Sequence, residues 1–121
     1  MREEKTVGLR IAFMLIALSA LILVGGFPGR FEMAAIFNAA IMICQSLIFR
    51  VLASHVSESK DRELIWYAHK VPFNLACCSF ALMVTHHFSS PMAFSVIGAI
   101  VVALSAFAIA RNYCRFIGAT T

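Results

Sequence analysis

The chain has 121 residues, of which 61% are hydrophobic and 13% charged, with a mean hydropathy of +0.87 and a net charge of +4. Soluble domains carry about 25% charged residues, so a soluble fold of this composition would lack the polar side chains to cover its surface. The basic residues form no run and no stripe interleaved with aromatics, which argues against nucleic-acid binding. The composition therefore predicts an integral membrane protein whose first partner is the lipid bilayer.

The first half of the chain predicts one transmembrane helical hairpin. The first span, residues 11–27, contains no charged residue and is about 25 Å long at the helical rise, enough to cross a hydrocarbon core. Pro28 and Gly29 end it, and Arg30 follows at the turn. The second span, residues 33–52, includes Arg50 near its end, where a long basic side chain can reach the membrane surface.

The second half predicts another hairpin, which makes the whole chain a single all-α, four-span bundle over residues 1–121. Residues 53–70 are predicted to form a polar cytoplasmic loop, and the third span covers residues 71–88, with Pro72 in its first turn. The alternative is one helix over residues 61–88, kinked at Pro72. The fourth span covers residues 92–110, with Ser90 as the N-cap and Pro91 at the first helical position.

The distribution of lysine and arginine predicts the orientation. Nine of the ten lie in the N-terminal segment, in the central loop and its flanks, or at the C-terminus, and only Arg30 lies in the two short turns. Basic residues near span ends concentrate on the cytoplasmic side. We therefore expect a bacterial inner (plasma) membrane protein with both termini in the cytoplasm.

Polar and small residues recur at helical spacing within the spans, which predicts inner packing seams. The second span contributes Asn38 and Gln45, and the third Asn74, Cys78 and Thr85. On the fourth span the corresponding residues are all alanines: Ala99, Ala103, Ala106 and Ala110. Small residues allow helices to approach closely, and amides hydrogen-bond across helices. The alternative is that Asn38, Gln45 and Asn74 line a polar cavity.

The four histidines fall into two pairs. His55 and His69 flank the central loop and could be the axial ligands of a b-type haem, although interfacial polar residues are the simpler interpretation. His86 and His87 lie at the opposite end of the spans with no Cys, Asp or Glu nearby in the sequence. We expect an interfacial pair there and no metal site.

Cysteine chemistry is also open to two interpretations. Cys77 and Cys78 are adjacent within the third span, an arrangement that could pass a soft metal ion along. Cysteine equally serves as a small hydrophobic residue at helix contacts. The packing interpretation is favoured, because no further cysteines form an exposed relay.

The sequence contains no recognisable catalytic constellation. All six carboxylates lie outside the spans or at their edges: Glu3, Glu4, Glu32, Glu58, Asp61 and Glu63. A proton-coupled exporter normally needs an ionisable group inside the membrane. There is also no nucleophile elbow, phosphate-binding glycine loop or metalloprotease helix. We therefore predict no catalytic residues, and no cofactor apart from the haem alternative.

Three functional hypotheses remain. The leading one is a small multi-pass protein that acts by binding another membrane protein, as an accessory or regulatory subunit or as an immunity or exclusion factor. The second is an oligomeric carrier of a small solute or ion, which would use the polar faces of spans two and three. The third is a haem- or quinone-binding anchor subunit of a respiratory enzyme.

Overall fold

The structure, a computed structural model, describes residues 2–120, without the side chains of residues 2–4, 60, 119 and 120. This part of the chain forms four helices and no strand, which confirms the all-α prediction. The helices are α1 (Arg2–Leu21), continued by a π-helical turn (Ile22–Gly26), then α2 (Phe31–His55), α3 (Ser59–Phe88) and α4 (Pro91–Thr120). Each contains a segment long and apolar enough to cross a membrane: Lys5–Gly26, Phe31–His55, Asp61–Phe88 and Pro91–Gly118.

The turn between α1 and α2 is as short as the sequence predicts. Gly29 has a φ of +74°, a left-handed conformation that glycine adopts without the steric cost of a Cβ. The backbone N–H of Arg30 donates to the carbonyl oxygen of Phe27 at 2.9 Å, which closes the turn. α1 and α2 are therefore joined tightly at this end.

α3 is one continuous helix over Ser59–Phe88 that includes Pro72, which agrees with the single-helix alternative for this segment. Residues 59–70 contain no Gly or Pro and include the good helix formers Lys60, Arg62 and Leu64, so the helix begins well before the predicted span. Pro72 has no N–H to donate to the carbonyl of Ala68 and disturbs that turn. The hydroxyl of Ser46 on α2 donates to the neighbouring carbonyl of His69 at 3.0 Å.

α4 begins as predicted and ends later. The backbone N–H of Ala93 donates to Oγ of Ser90 at 3.3 Å, which confirms Ser90 as the N-cap, and Pro91 is the first helical residue. The helix then continues past residue 110 to Thr120. The last part of α4, around Tyr113 and Phe116, packs against the beginning of α1 and the first half of α3.

α2 and α3 form the central pair of the bundle. Their side chains supply most of the buried core, including Met42 and Val71, which are fully buried. Ala34 and Ala35 on α2 have no exposed surface, so the two helices approach closely there. α1 packs mainly on α3 and meets α2 chiefly through the π-helical turn, while α4 packs on α3.

An aromatic cluster holds α1 to α3 and α4 at one end of the bundle. The rings of Tyr67 and Phe116 stack with centroids 4.8 Å apart. The hydroxyl of Tyr67 donates to the carbonyl of Gly8 at 3.4 Å, and that of Tyr113 donates to the carbonyl of Lys5 at 3.2 Å. A Cβ at Gly8 would lie 3.0 Å from Cε2 of Phe116, a tight contact, so the ring packs closely on the backbone of α1 at this glycine.

Candidate functional site: a polar seam between α2 and α3

Polar side chains join α2 and α3 at three levels along their interface. We call this set the polar seam; in order along α2, it consists of Glu32 with His86 and His87, Asn38 with Ser79, and Ser46 with His69. At each level the partners on α2 and α3 are at least 23 positions apart in the sequence. The antiparallel packing of the two helices brings them together.

The middle level is the most deeply buried. Asn38 has no exposed surface and Ser79 is 1% exposed. The Nδ2 amide of Asn38 donates to Oγ of Ser79. Oδ1 of Asn38 has no hydrogen-bond partner within the described part of the chain. This contact between two polar groups gives α2 and α3 a fixed register.

The Ser46 level joins α2 to α3 at His69. The hydroxyl of Ser46 donates to the carbonyl of His69 at 3.0 Å, and Oγ of Ser46 also lies 2.7 Å from Nδ1 of the same residue. One hydroxyl therefore contacts both the backbone and the ring of His69. The ring of Trp66 lies 5.0 Å from the His69 ring, centroid to centroid.

The Glu32 level brings a carboxylate to the His86–His87 pair, which the sequence analysis missed. Nδ1 of His86 donates to Oε2 of Glu32 at 3.0 Å, and Nδ1 of His87 donates to Oε1 at 3.1 Å. The ring of His86 also packs against Phe31 and Phe94, each at 5.1 Å between centroids. The antiparallel arrangement of spans two and three was a usable signal, because it places the start of one beside the end of the other.

This cluster consists of two imidazoles that contact different oxygens of one carboxylate, that of Glu32. Among the residues with described side chains, no group of three or more His, Cys, Asp or Glu could hold a metal ion. The cluster joins the start of α2 to the end of α3 at the surface.

Gln45 lies apart from the polar seam, although its seven-residue spacing from Asn38 predicts a shared face. Asn38 contacts α3, whereas Gln45 lines a groove between α2 and α1. Oε1 of Gln45 is buried and has no hydrogen-bond partner among the described residues. The two amides therefore have different surroundings.

The predicted seam residues on α3 lie beside its buried face and are only half-buried. Asn74 lines a surface pocket together with Arg50 and Asn112, and Cys78 is half-buried. Oγ1 of Thr85 donates to the carbonyl of Ala81 in its own helix at 2.7 Å. The buried face of α3 instead carries the residues Tyr67, Ala68, Val71, Pro72, Leu75, Ala76, Ser79 and Leu82.

His55 and His69 lie at different levels of the bundle. Nδ1 of His55 donates to the carbonyl of Val51 at 2.9 Å, at the exposed end of α2. His69 contacts Ser46, which is about 13 Å before His55 along α2 at the rise of an α-helix. A haem held between two axial histidines needs both at one level.

The expectation that the alanines of α4 form an inner seam is wrong. All four, Ala99, Ala103, Ala106 and Ala110, are exposed on the outside of the bundle. α4 packs inward through other positions, including Gly98 and the buried Ile109. A Cβ added at Gly98 would lie 3.4 Å from the Leu82 side chain of α3. The spacing shows that the four alanines share one face of α4, but it does not show whether that face points into the bundle or away from it.

The four cysteines are all free thiols, with Cys77 exposed and Cys78 half-buried. Comparison of the chain with protein-family models, curated proteins and solved structures finds no match.

Proposed function

We propose that the protein is a non-catalytic subunit of a membrane protein complex, which acts by binding another membrane protein through the outer face of α4. The observation that carries this proposal is the exposed row of alanines on α4, which we call the alanine face: Ala99, Ala103, Ala106 and Ala110. In lipid, small residues at this spacing allow a second helix to approach closely and gain dispersion contacts.

The use of the polar side chains supports the same proposal. Across α2 and α3, Asn38 hydrogen-bonds to Ser79, and Ser46 contacts His69. These polar side chains therefore hold the chain's own helices together. A solute path would need polar groups facing a continuous passage. No carboxylate lies in the middle of a helix that could span the membrane. This favours the subunit over the carrier.

The proposed location is the bacterial inner membrane with both termini in the cytoplasm. The support is the concentration of nine of the ten basic residues in the first half of α1, the last part of α2 with the first half of α3, and the last part of α4. Reporter fusions at Lys5 and Ser59 should read cytoplasmic, and fusions at Arg30 and Ser89 should read external. An external result at Ser59 would overturn this orientation.

The binding proposal is tested with a matched pair of exposed alanines. The full chain is purified in mild detergent together with whatever membrane protein accompanies it, as wild type, as Ala103→Leu and as Ala17→Leu. Both alanines are exposed, but Ala17 lies on α1, outside the alanine face. We expect Ala103→Leu to lose the accompanying protein and Ala17→Leu to keep it in stoichiometric amount.

Two results would contradict the proposal. One is a partner that both variants retain equally. The other is a chain that purifies only with copies of itself, which would favour the oligomeric carrier. A visible absorption spectrum of the same preparation tests the haem alternative at His55 and His69, since a bound haem gives a Soret band.

A further inference from the structure

A surface pocket of about 360 Å³, which we call the cationic pocket, lies near the end of the bundle where the basic residues gather. Arg50 follows Ser46 of the polar seam by about one helical turn, and Lys70 directly follows His69. The contact between Ser46 and His69 therefore brings the two cations to neighbouring levels of the bundle. Three helices line the pocket: α2 through Arg50, α3 through His69, Lys70, Phe73 and Asn74, and α4 through Asn112.

The charges of this pocket are not neutralised within the chain. None of the residues that line it is acidic, and among the described side chains neither Arg50 nor Lys70 forms an ion pair. Arg50 is exposed and Lys70 half-buried, so a ligand can reach both. Glu63, the nearest acidic residue along α3, lines the neighbouring pockets instead.

The polar groups of the pocket select an anion with several acceptor oxygens. A guanidinium and an ammonium group both form charge-assisted hydrogen bonds to phosphate. The half-buried amides of Asn74 and Asn112 provide further N–H donors from α3 and α4. A phosphate group therefore suits the pocket better than a single carboxylate.

An exposed apolar stripe continues from the pocket along α3, away from the basic end. Phe73, Cys77 and Phe80, which we call the α3 stripe, follow Lys70 at helical spacing and share its face. Phe73 and Phe80 are 53% and 60% exposed, and Cys77 is exposed as well. No charged residue occurs between Lys70 and Phe80. The surface thus offers a charged pocket followed by about 10 Å of apolar helix, which matches a phospholipid rather than a free anion.

We propose that the cationic pocket binds the phosphate of an anionic phospholipid, whose acyl chain lies along the α3 stripe. Arg50 and Lys70 neutralise the phosphate, and the amides of Asn74 and Asn112 donate to its oxygens. The proposed orientation places the pocket on the cytoplasmic side, where the leaflet is anionic and basic pockets between spans bind lipid headgroups. This site requires insertion in a membrane but does not depend on the alanine face.

Trp66 provides a probe beside the pocket. It is the only tryptophan of the chain, lies one helical turn before Lys70, and lines the two pockets that share wall residues with the cationic pocket. The full chain is reconstituted in phosphatidylcholine vesicles that contain increasing fractions of phosphatidylglycerol brominated near the headgroup end of its acyl chains. Brominated phosphatidylcholine is the reference lipid, and the ratio of the two quenching curves gives the preference for the anionic lipid.

We expect wild type to prefer phosphatidylglycerol. Arg50→Gln and Lys70→Gln should each lower that preference by up to about fivefold, the effect of one basic residue near an anionic membrane surface. The double variant should show no preference, and Lys70→Arg, which keeps the charge, should retain it. Arg10→Gln is the matched control, because it removes an exposed arginine on α1 that does not line the pocket, and it should behave as wild type.

Four results would overturn the proposal. Equal quenching of wild type by the two lipids would show that the pocket selects no headgroup. A preference that the double variant retains would place the selectivity elsewhere, and an equal loss in Arg10→Gln would assign it to the net charge of the chain. Loss of the preference when inorganic phosphate replaces chloride at constant ionic strength would assign the pocket to a soluble anion.

Discussion

Among the four candidate spans, α3 is the most buried and α4 the least. The most apolar 18-residue stretch of α3 has a mean hydropathy of 1.2, the lowest of the four candidate spans, yet 33% of it is buried; that of α4 has a mean hydropathy of 2.5 and only 11% of it is buried. In a soluble protein the more apolar helix would lie further inside. The inverse order is what a bilayer favours, because polar groups gain partners inside the bundle while apolar side chains can face lipid.

The α2–α3 pair and α4 therefore use their small residues differently. Ala34 and Ala35 of α2 are fully buried within the chain, whereas Ala103 and Ala106 of α4 are exposed. The same residue type serves internal packing in one helix and is free for external packing in the other. The predictions below test this contrast, from the largest expected effect to the smallest.

The largest effect is expected at Ala35. Ala35→Leu forces three extra carbons into a position with no exposed surface, and overpacking of this kind costs about 1–3 kcal/mol. Ala103→Leu, the matched change on α4, should leave the stability of the isolated chain within about 0.5 kcal/mol. Unfolding by sodium dodecyl sulphate from mixed micelles measures both. Equal destabilisation would mean that α4 packs internally through its alanines.

Gly8 should be the next most sensitive position. A valine side chain there would meet the rings of Phe116 and Tyr67, whose nearest atoms lie 3.0 and 3.3 Å from an added Cβ. We expect a loss of about 1–2 kcal/mol and release of α1 from the bundle, which hydrogen exchange of residues 5–15 would detect. Gly25→Val is the control, since nothing lies within 4 Å of that position. An unchanged exchange rate in Gly8→Val would contradict the role of the aromatic cluster.

A smaller effect is expected across the middle of the polar seam. In a double-mutant cycle of Asn38→Leu and Ser79→Ala, the coupling free energy should be about 0.6 kcal/mol and no more than ~1.7, as for interhelical hydrogen bonds in membrane proteins. The pair Gln45 and Ser79 provides the control cycle, because Gln45 faces α1. Coupling in the control as large as in the test pair would show that the effect is not the Asn38–Ser79 contact.

The smallest effect is expected at Glu32, whose interactions with His86 and His87 lie at the surface. Glu32→Gln should change the unfolding midpoint only slightly, because exposed ion pairs contribute little. Imidazole side chains change charge between pH 5 and 8, so the difference between wild type and variant should be larger at pH 5.5 than at pH 8.5. Glu63→Gln, which alters an exposed carboxylate away from both histidines, should show no such dependence.

The sequence predicted the helices well because each span is a long apolar run bounded by clear breakers. Pro28–Gly29 and Ser90–Pro91 mark turns that the structure contains. The start of α3 was less certain, since Pro72 is compatible both with a first turn and with a helix interior. The absence of Gly and Pro from residues 59–70 favours the longer helix.

Which residues meet across the bundle was harder to predict than the helices themselves. Spacing places Asn38 and Gln45 on one face, but it does not say whether α3 or α1 covers that face at a given level. The pairing of Glu32 with His86 depends on the register of α2 and α3, because the two residues are 54 positions apart in the sequence. The outward direction of the alanine face likewise depends on tertiary packing. Gly98 and the aromatic cluster place another side of α4 against α3, which leaves the alanines outside.

The most direct test of the proposed role is photo-crosslinking from the alanine face in intact membranes. A photoreactive amino acid replaces Ala103 in the full chain, and Ala17 on α1 serves as the control position. We expect one discrete adduct with a different membrane protein from Ala103, absent from Ala17 and lost when Ala99→Leu is added. Adducts only with lipid or with a second copy of this chain would contradict binding of another membrane protein through α4.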